Sequence, residues 1–230
     1  MGEDILCEVL KSIKTDIKDC INYLKNYAQK YNYKLKQVDE DFFTYILKHI
    51  IFFKKIYLCN NNNKYFYKVI ISDLFYYILA IISGKNRYIF LNERSIIENY
   101  VRIVTNTSVN ENHVTDKVFN ILKDKKFEFD YSIDDYSLIK SEYRHSCGFI
   151  HGAKILNESL SFCFFECEKC DELKNKEKYF QTVKKIIKIF DKMIISEYCD
   201  MIDISFFNEK TTLQYLLGKD CLELLFKIKK

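Results

Sequence analysis

The stretch SEYRHSCGFIHGAKI, residues 141–155, gathers Arg144, His145, Cys147, Gly148, His151 and Gly152. It holds two of the chain's four histidines and two of its five glycines. Each residue type brings a definite chemistry. Imidazole exchanges protons near neutral pH, and a guanidinium grips anions through a planar fork. Two glycines near a helix centre cost about 1 kcal/mol each against alanine, so a plain core helix gains nothing from them. On a helix turning ~100° per residue, Arg144 and His151 are seven positions apart. They therefore share one face, two turns from each other. Gly148 lies between them on that face, and His145 is one step round. A face cleared in this way suits close approach by a ligand backbone or a partner helix. Cys147 and His151, at i and i+4, could form a thiol–imidazole pair, but no orienting acid is evident beside them.

Other chemistries leave weaker traces. Cys163, Cys167 and Cys170 in CFFECEKC form a CxxC with a third cysteine, a pattern that could hold zinc. No fourth ligand lies nearby, although Cys199 is conceivable, and ordinary thiols are the plainer reading. No metal or cofactor is expected. A glycine-rich phosphate loop, a GxSxG elbow and an HExxH motif are all missing. His49 and His113 stand alone, facing solvent or packing structurally.

Helices must position the Arg144 stretch. Apolar residues recur at helical spacing over 4–31, from Ile5 and Leu6 to Ile21 and Leu24. A second helix over 39–58 opens with acids, as a helix start should. A third covers about 65–83 and ends near Gly84. A fourth runs from about 92 to 105, with Asn92 or Ser95 as its cap, and a short one follows at 114–125. FEFDYSIDDY (127–136) is ambiguous and could hold an extended turn. Ser132 then opens the helix that carries the motif. Asp135 stands three residues on, where a full capping box has Glu or Gln. Residues 160–170 alternate weakly and could be extended. Long helices follow over 173–200 and 211–228. The most apolar stretch, VIISDLFYYILAIISG (69–84), is interrupted by Asp73 and short for a bilayer, so it reads as a buried helix.

The totals agree with one all-α domain over residues 1–230. Proline is absent, glycine numbers five, and 48% of residues are hydrophobic. That composition supports a single sizeable core with short polar connections. Net charge is +4, from 36 basic and 32 acidic residues, which permits nucleic-acid binding without demanding it. Basic residues are dispersed, with small clusters such as KKIIK (184–188). YLKNYAQKYNYKLK (23–36) interleaves tyrosine with lysine in a manner suited to single strands, or to a solvated helix end. No secretory signal or myristoylation pattern is visible. The nine cysteines are odd in number and irregular in spacing, which suits reduced thiols in the cytoplasm. No membrane association is expected.

RHSCGFIH resembles the signature of HEPN domains, in which Arg is followed by a polar residue and then, after four to six intervening residues, by His; here six intervene. His145 occupies the polar second place. HGA (151–153) and the upstream ERSIIENYVRI resemble HEPN-like proteins of bacterial abortive-infection and toxin systems. In several such groups an acid-x3-basic pair lies on an earlier helix, and ENYVR supplies Glu98 and Arg102 at that spacing. The resemblance covers about residues 65–205 and implies an up-and-down helical core with additional terminal helices. It also implies metal-independent RNA cleavage in a homodimeric cleft. His151 would be the general acid/base, Arg144 the phosphate clamp, and His145 a second proton carrier or positioner. Gly148 and Gly152 would let the two helices approach. Glu98 would orient Arg144, or else form only a local helix pair with Arg102 worth ~0.3–0.5 kcal/mol. Arg94, one turn before Glu98, fits either scheme. An antitoxin or other regulatory partner is implied. Some members of the family are inactive, so a binding module that senses nucleotide, RNA or protein is the alternative.

Overall fold

A computed structural model describes residues 2–59, 64–108, 116–150, 159–161, 173 and 175–230. His113, His151, Gly152, Cys163, Cys167 and Cys170 lie outside the described residues, as does most of the 160–170 segment. Among the described residues there are ten helices and no strand. They are α1 (Gly2–Gln29), α2 (Gln37–Cys59), α3 (Lys64–Ile82), α4 (Asn86–Thr105) and α5 (Asp116–Asp124). After these come α6 (Ile133–Ile150), α7 (Lys176–Glu197), α8 (Cys199–Ser205), α9 (Lys210–Leu217) and α10 (Lys219–Lys229). The protein is an all-α helical bundle.

Local chemistry accounts for several helix ends. Gly84 takes φ +64° just past α3. There its N–H and that of Lys85 reach the carbonyls of Ile81 and Ala80, satisfying the last turn. Asn106 does the same for α4 at φ +53°, and Thr107 N–H donates to the Arg102 carbonyl. Asp39 in the first turn of α2 is fully buried and accepts from Lys36 N–H and the Tyr33 hydroxyl, both at 2.8 Å. Its charge is matched by Lys176 Nζ, 2.8 Å away at the start of α7.

Helix bounds depart from the sequence expectation in two places. The fourth helix begins at Asn86, so Asn92 and Ser95 lie inside it rather than capping it. The FEFDYSIDDY segment is irregular with a bend over 127–132, compatible with the extended turn it could hold, and becomes helical at Ile133. Each of the two long C-terminal helices is broken. One becomes α7 and α8, which meet at Tyr198, and the other becomes α9 and α10, which meet at Gly218. Gly218 has φ +92°, a conformation that L side chains rarely adopt.

Side-chain pairing gives the topology. Phe42 meets Tyr77 and Phe53 meets Tyr67, so α2 and α3 are antiparallel. Arg102 lies over Phe66, which places the end of α4 against the start of α3. Helix α6 descends α4, with Ser146 on Glu93 and Tyr143 on Glu98. Helix α7 runs parallel to both α2 and α4. It meets α2 through Lys176–Asp39 and His49–Asp191, and α4 through Tyr179–Glu93 and Tyr198–Ile103. Aromatic layers fill the middle: Phe42 stacks on Phe180 at 3.9 Å, and Tyr100 stacks on Phe190 at 4.7 Å. Helix α3 is apolar and long enough by composition to cross a membrane. Here it packs between α2 and α4 and buries Tyr67, Ile70, Leu74 and Tyr77 completely.

His49 does not stand alone. It is fully buried, its Nε2 lies 3.0 Å from Asp191 Oδ2, and its Nδ1 lies 2.8 Å from the Tyr45 carbonyl. The partner is 142 residues away, so nothing near His49 in the sequence announces it.

Candidate functional site

Helix α6 starts on a closed capping box. Ser132 Oγ accepts from Asp135 N–H at 3.1 Å, and Asp135 Oδ2 accepts from Ser132 N–H at 3.1 Å and from its hydroxyl at 2.9 Å. Aspartate, one methylene shorter than the usual glutamate, still reaches back. From this start, Tyr136, Ile139, Tyr143 and Ser146 recur at three- and four-residue spacing toward the interior. Tyr136, Ile139 and Ser146 are buried. The same phase turns Arg144, His145 and Gly148 outward, and all three are exposed.

Arg144 has no hydrogen bond or ion pair among the described residues. Its effect is felt by Asp116 on α5, whose carboxyl is held below its ordinary range mainly by Lys140 and to a lesser degree by Arg144. His145 stands edge-on to Phe90 at 5.2 Å, and its Nδ1 lies 3.1 Å from Glu142 Oε1. A Cβ added at Gly148 would meet nothing within 4 Å, so the surface above it is open among the described residues. Cys147 is half-buried. The described residues contain no cluster of three or more side chains fit to hold a metal ion.

Glu98 does not orient Arg144. Its Oε1 accepts from the Tyr143 hydroxyl at 2.7 Å and from Arg94 Nε at 3.0 Å. The Arg94 guanidinium also lies over the Tyr143 ring, 5.7 Å from its centre. The antiparallel fit of α4 and α6 explains this, because it turns Tyr143 toward α4 and its neighbour Arg144 away. Burial, reinforced by the Glu98 charge, pushes the Tyr143 phenol well up. The local Glu98–Arg102 pair is likewise replaced by Arg94–Glu98. Arg102 is buried with its guanidinium over Phe66.

One residue beneath the motif escaped the sequence reading. Glu93 is 3% exposed. Its Oε2 accepts from Ser146 Oγ at 3.1 Å and from the Tyr179 hydroxyl at 2.9 Å. Tyr77 hydrogen-bonds to Tyr179 in turn. Since Tyr179 gives its proton to Glu93, Tyr77 must donate to Tyr179. Three hydroxyls are therefore ordered around one carboxyl that ties α3, α4, α6 and α7 together. Such donors favour the ionised form, while burial disfavours it. Burial wins, helped by the Glu142 charge, and raises the Glu93 carboxyl to about 8. Its Oε1 has no hydrogen-bond partner among the described residues, and Glu93 lines a small cavity together with Tyr77, Ile96 and Tyr100. A signal was available in the sequence. Glu93 falls on the apolar face that α4 builds from Ile89, Ile96, Ile97 and Tyr100.

The site therefore presents an exposed cation and an exposed imidazole on the outer face of α6. A buried, largely protonated carboxyl anchors the inner face. Comparison of this chain with protein-family models, with curated proteins and with solved structures finds no match.

Proposed function

We propose that the protein is a metal-independent endoribonuclease of the HEPN type, acting as a homodimer in a bacterial antiphage-defence or toxin–antitoxin system. The observation that carries this reading is the state of Arg144: exposed, without a carboxylate partner among the described residues, and beside an exposed His145. A guanidinium with no hydrogen-bonded carboxylate among the described residues is suited to a phosphodiester. In the proposed reaction an imidazole removes the proton of the ribose 2′-hydroxyl, and the oxygen attacks the adjacent phosphorus. The bond to the 5′-oxygen breaks, and that oxygen takes a proton from a second imidazole. The products are a 2′,3′-cyclic phosphate and a 5′-hydroxyl. His151 is the principal acid/base, His145 the second proton carrier or positioner, and Arg144 offsets the charge that builds on the non-bridging phosphoryl oxygens. Gly148 leaves the space in which a second protomer's motif or the RNA comes close.

The test is RNA cleavage in excess EDTA by the wild type and by His151→Ala, with the ends mapped. Metal-free cleavage by the wild type alone, leaving cyclic-phosphate ends, supports the reading. Equal cleavage by both proteins removes it.

The commitment of Glu98 to Tyr143 and Arg94 favours a second reading. Without an orienting acid, the Arg144 face would bind RNA, nucleotide or a partner protein and leave it uncut. Tight binding of RNA with no cleavage under any trigger supports that alternative.

A further inference from the structure

Lys184, Lys185 and Lys188 of the KKIIK stretch, whose Ile186 and Ile187 are buried in the core, line a groove of about 650 Å³. Lys184, Lys185 and Lys188 form one wall. Tyr45 and Lys48 of α2 form another, and Tyr215 and Gly218 close the end. Lys14 of α1 joins them. Its ammonium and that of Lys48 lie over the same Tyr215 ring, 5.3 Å and 3.9 Å from its centre. Lys184 stands over the rings of Tyr45 and Phe42.

Charge is poorly balanced in this groove. Lys14, Lys48, Lys184 and Lys185 make no ion pair among the described residues. Lys188 alone has an acid, Asp220 Oδ1 at 3.1 Å, and it also donates to the Leu217 carbonyl. Two ammoniums are thus held over one ring with no carboxylate between them. Lys48 is half-buried, and burial together with Lys14 makes its charge harder to keep. A fold gains no stability from like charges held together in a partly dry recess. An anion would relieve them.

We propose that this groove binds the phosphodiester backbone of single-stranded nucleic acid. Lys184 and Lys188 are one helical turn apart, about 6 Å along the axis, a step comparable to that between phosphates of an extended strand. Tyr45 and Tyr215 supply rings beside the cations, the pairing that single strands exploit by stacking. Lys48, Lys184 and Lys188 are partly buried in a concavity, which a strand can enter and a flat bilayer cannot. The proposal does not rest on cleavage at Arg144.

The probe is a fluorescein-labelled 2′-O-methyl oligouridine of about 12 nucleotides, within the usual site size for single strands. It lacks the nucleophilic hydroxyl, so binding is read apart from catalysis. Fluorescence anisotropy on the full chain at about 0.1 M salt should show Lys48→Gln/Lys184→Gln/Lys185→Gln binding at least about 10-fold more weakly than wild type. Its log–log salt slope should be flatter by about 2, since each phosphate contact contributes about 0.7. Lys14→Gln/Lys185→Gln alters only exposed side chains, so its weaker binding cannot be ascribed to misfolding. Lys68→Gln/Lys123→Gln/Lys126→Gln, with the same change in net charge, should stay within about twofold. Equal weakening by that control, or no binding by wild type, overturns the proposal. So does tighter binding of an oligoglutamate peptide, or of ATP alone, at the same lysines.

Discussion

Replacing Glu93 with glutamine should change how the protein's stability responds to pH. In the folded chain this carboxyl titrates at about 8 against an ordinary value of 4.5. The folded state therefore holds the proton more tightly than the unfolded state. Its contribution is complete below about pH 4.5, declines as pH rises toward about 8, and is level above that. At about 1.4 kcal/mol per tenfold in proton affinity, the whole decline is about 5 kcal/mol, of which about 3 kcal/mol has occurred by pH 7. Glutamine does not titrate, yet its carbonyl oxygen can accept from Ser146 and Tyr179 as Glu93 Oε2 does. The variant should gain on wild type steadily through this window. Urea unfolding of both proteins at about pH 5, 7 and 9 measures the gain directly, and groups common to both cancel in the difference. Parallel stability profiles would refute the reasoning. They would mean that the hydroxyls around Glu93 keep it ionised despite its burial.

Three further outcomes follow from named contacts. Arg144→Ala should abolish RNA cleavage in EDTA while moving stability by less than about 0.5 kcal/mol, because the side chain is exposed and packs against nothing essential; cleavage assays paired with thermal melts check both halves. Asp191→Ala strips the buried His49 of its hydrogen-bond partner and should cost about 1–3 kcal/mol in urea unfolding. Gly218→Ala forces a side chain into φ +92° and brings its Cβ to 3.1 Å from Lys188 Nζ. A loss of about 1–3 kcal/mol is expected, read as a lower thermal midpoint.

What the sequence revealed was local, and what it concealed was distant. The Ser132–Asp135 box and the Gly84 terminus could be read because both partners lie within a few residues. That Arg144 and Gly148 share one face followed from helical period alone; that this face points outward did not. The start of α4 could not be read, because Lys85 makes no side-chain cap. The roles of Glu98 and Glu93 depended on which face of α6 meets α4, and on Tyr179 arriving 86 residues after Glu93. A charged residue on an apolar helix face is the one trace such a network leaves in sequence.

The parallel course of α7 bears on the order in which the chain can assemble. Helices α2, α3 and α4 can pair as successive hairpins as soon as they leave the ribosome, since their contacts are close in sequence. Asp39 and His49 must wait 137 and 142 residues for Lys176 and Asp191. Until then the nascent bundle carries polar groups that it cannot afford to bury, and its interior stays accessible to water. Contacts of such long range slow the final step of folding. Helix α7 is thus the keystone of the molecule: a late, single insertion turns an open stack of hairpins into a sealed core and seats the underside of the Arg144 helix.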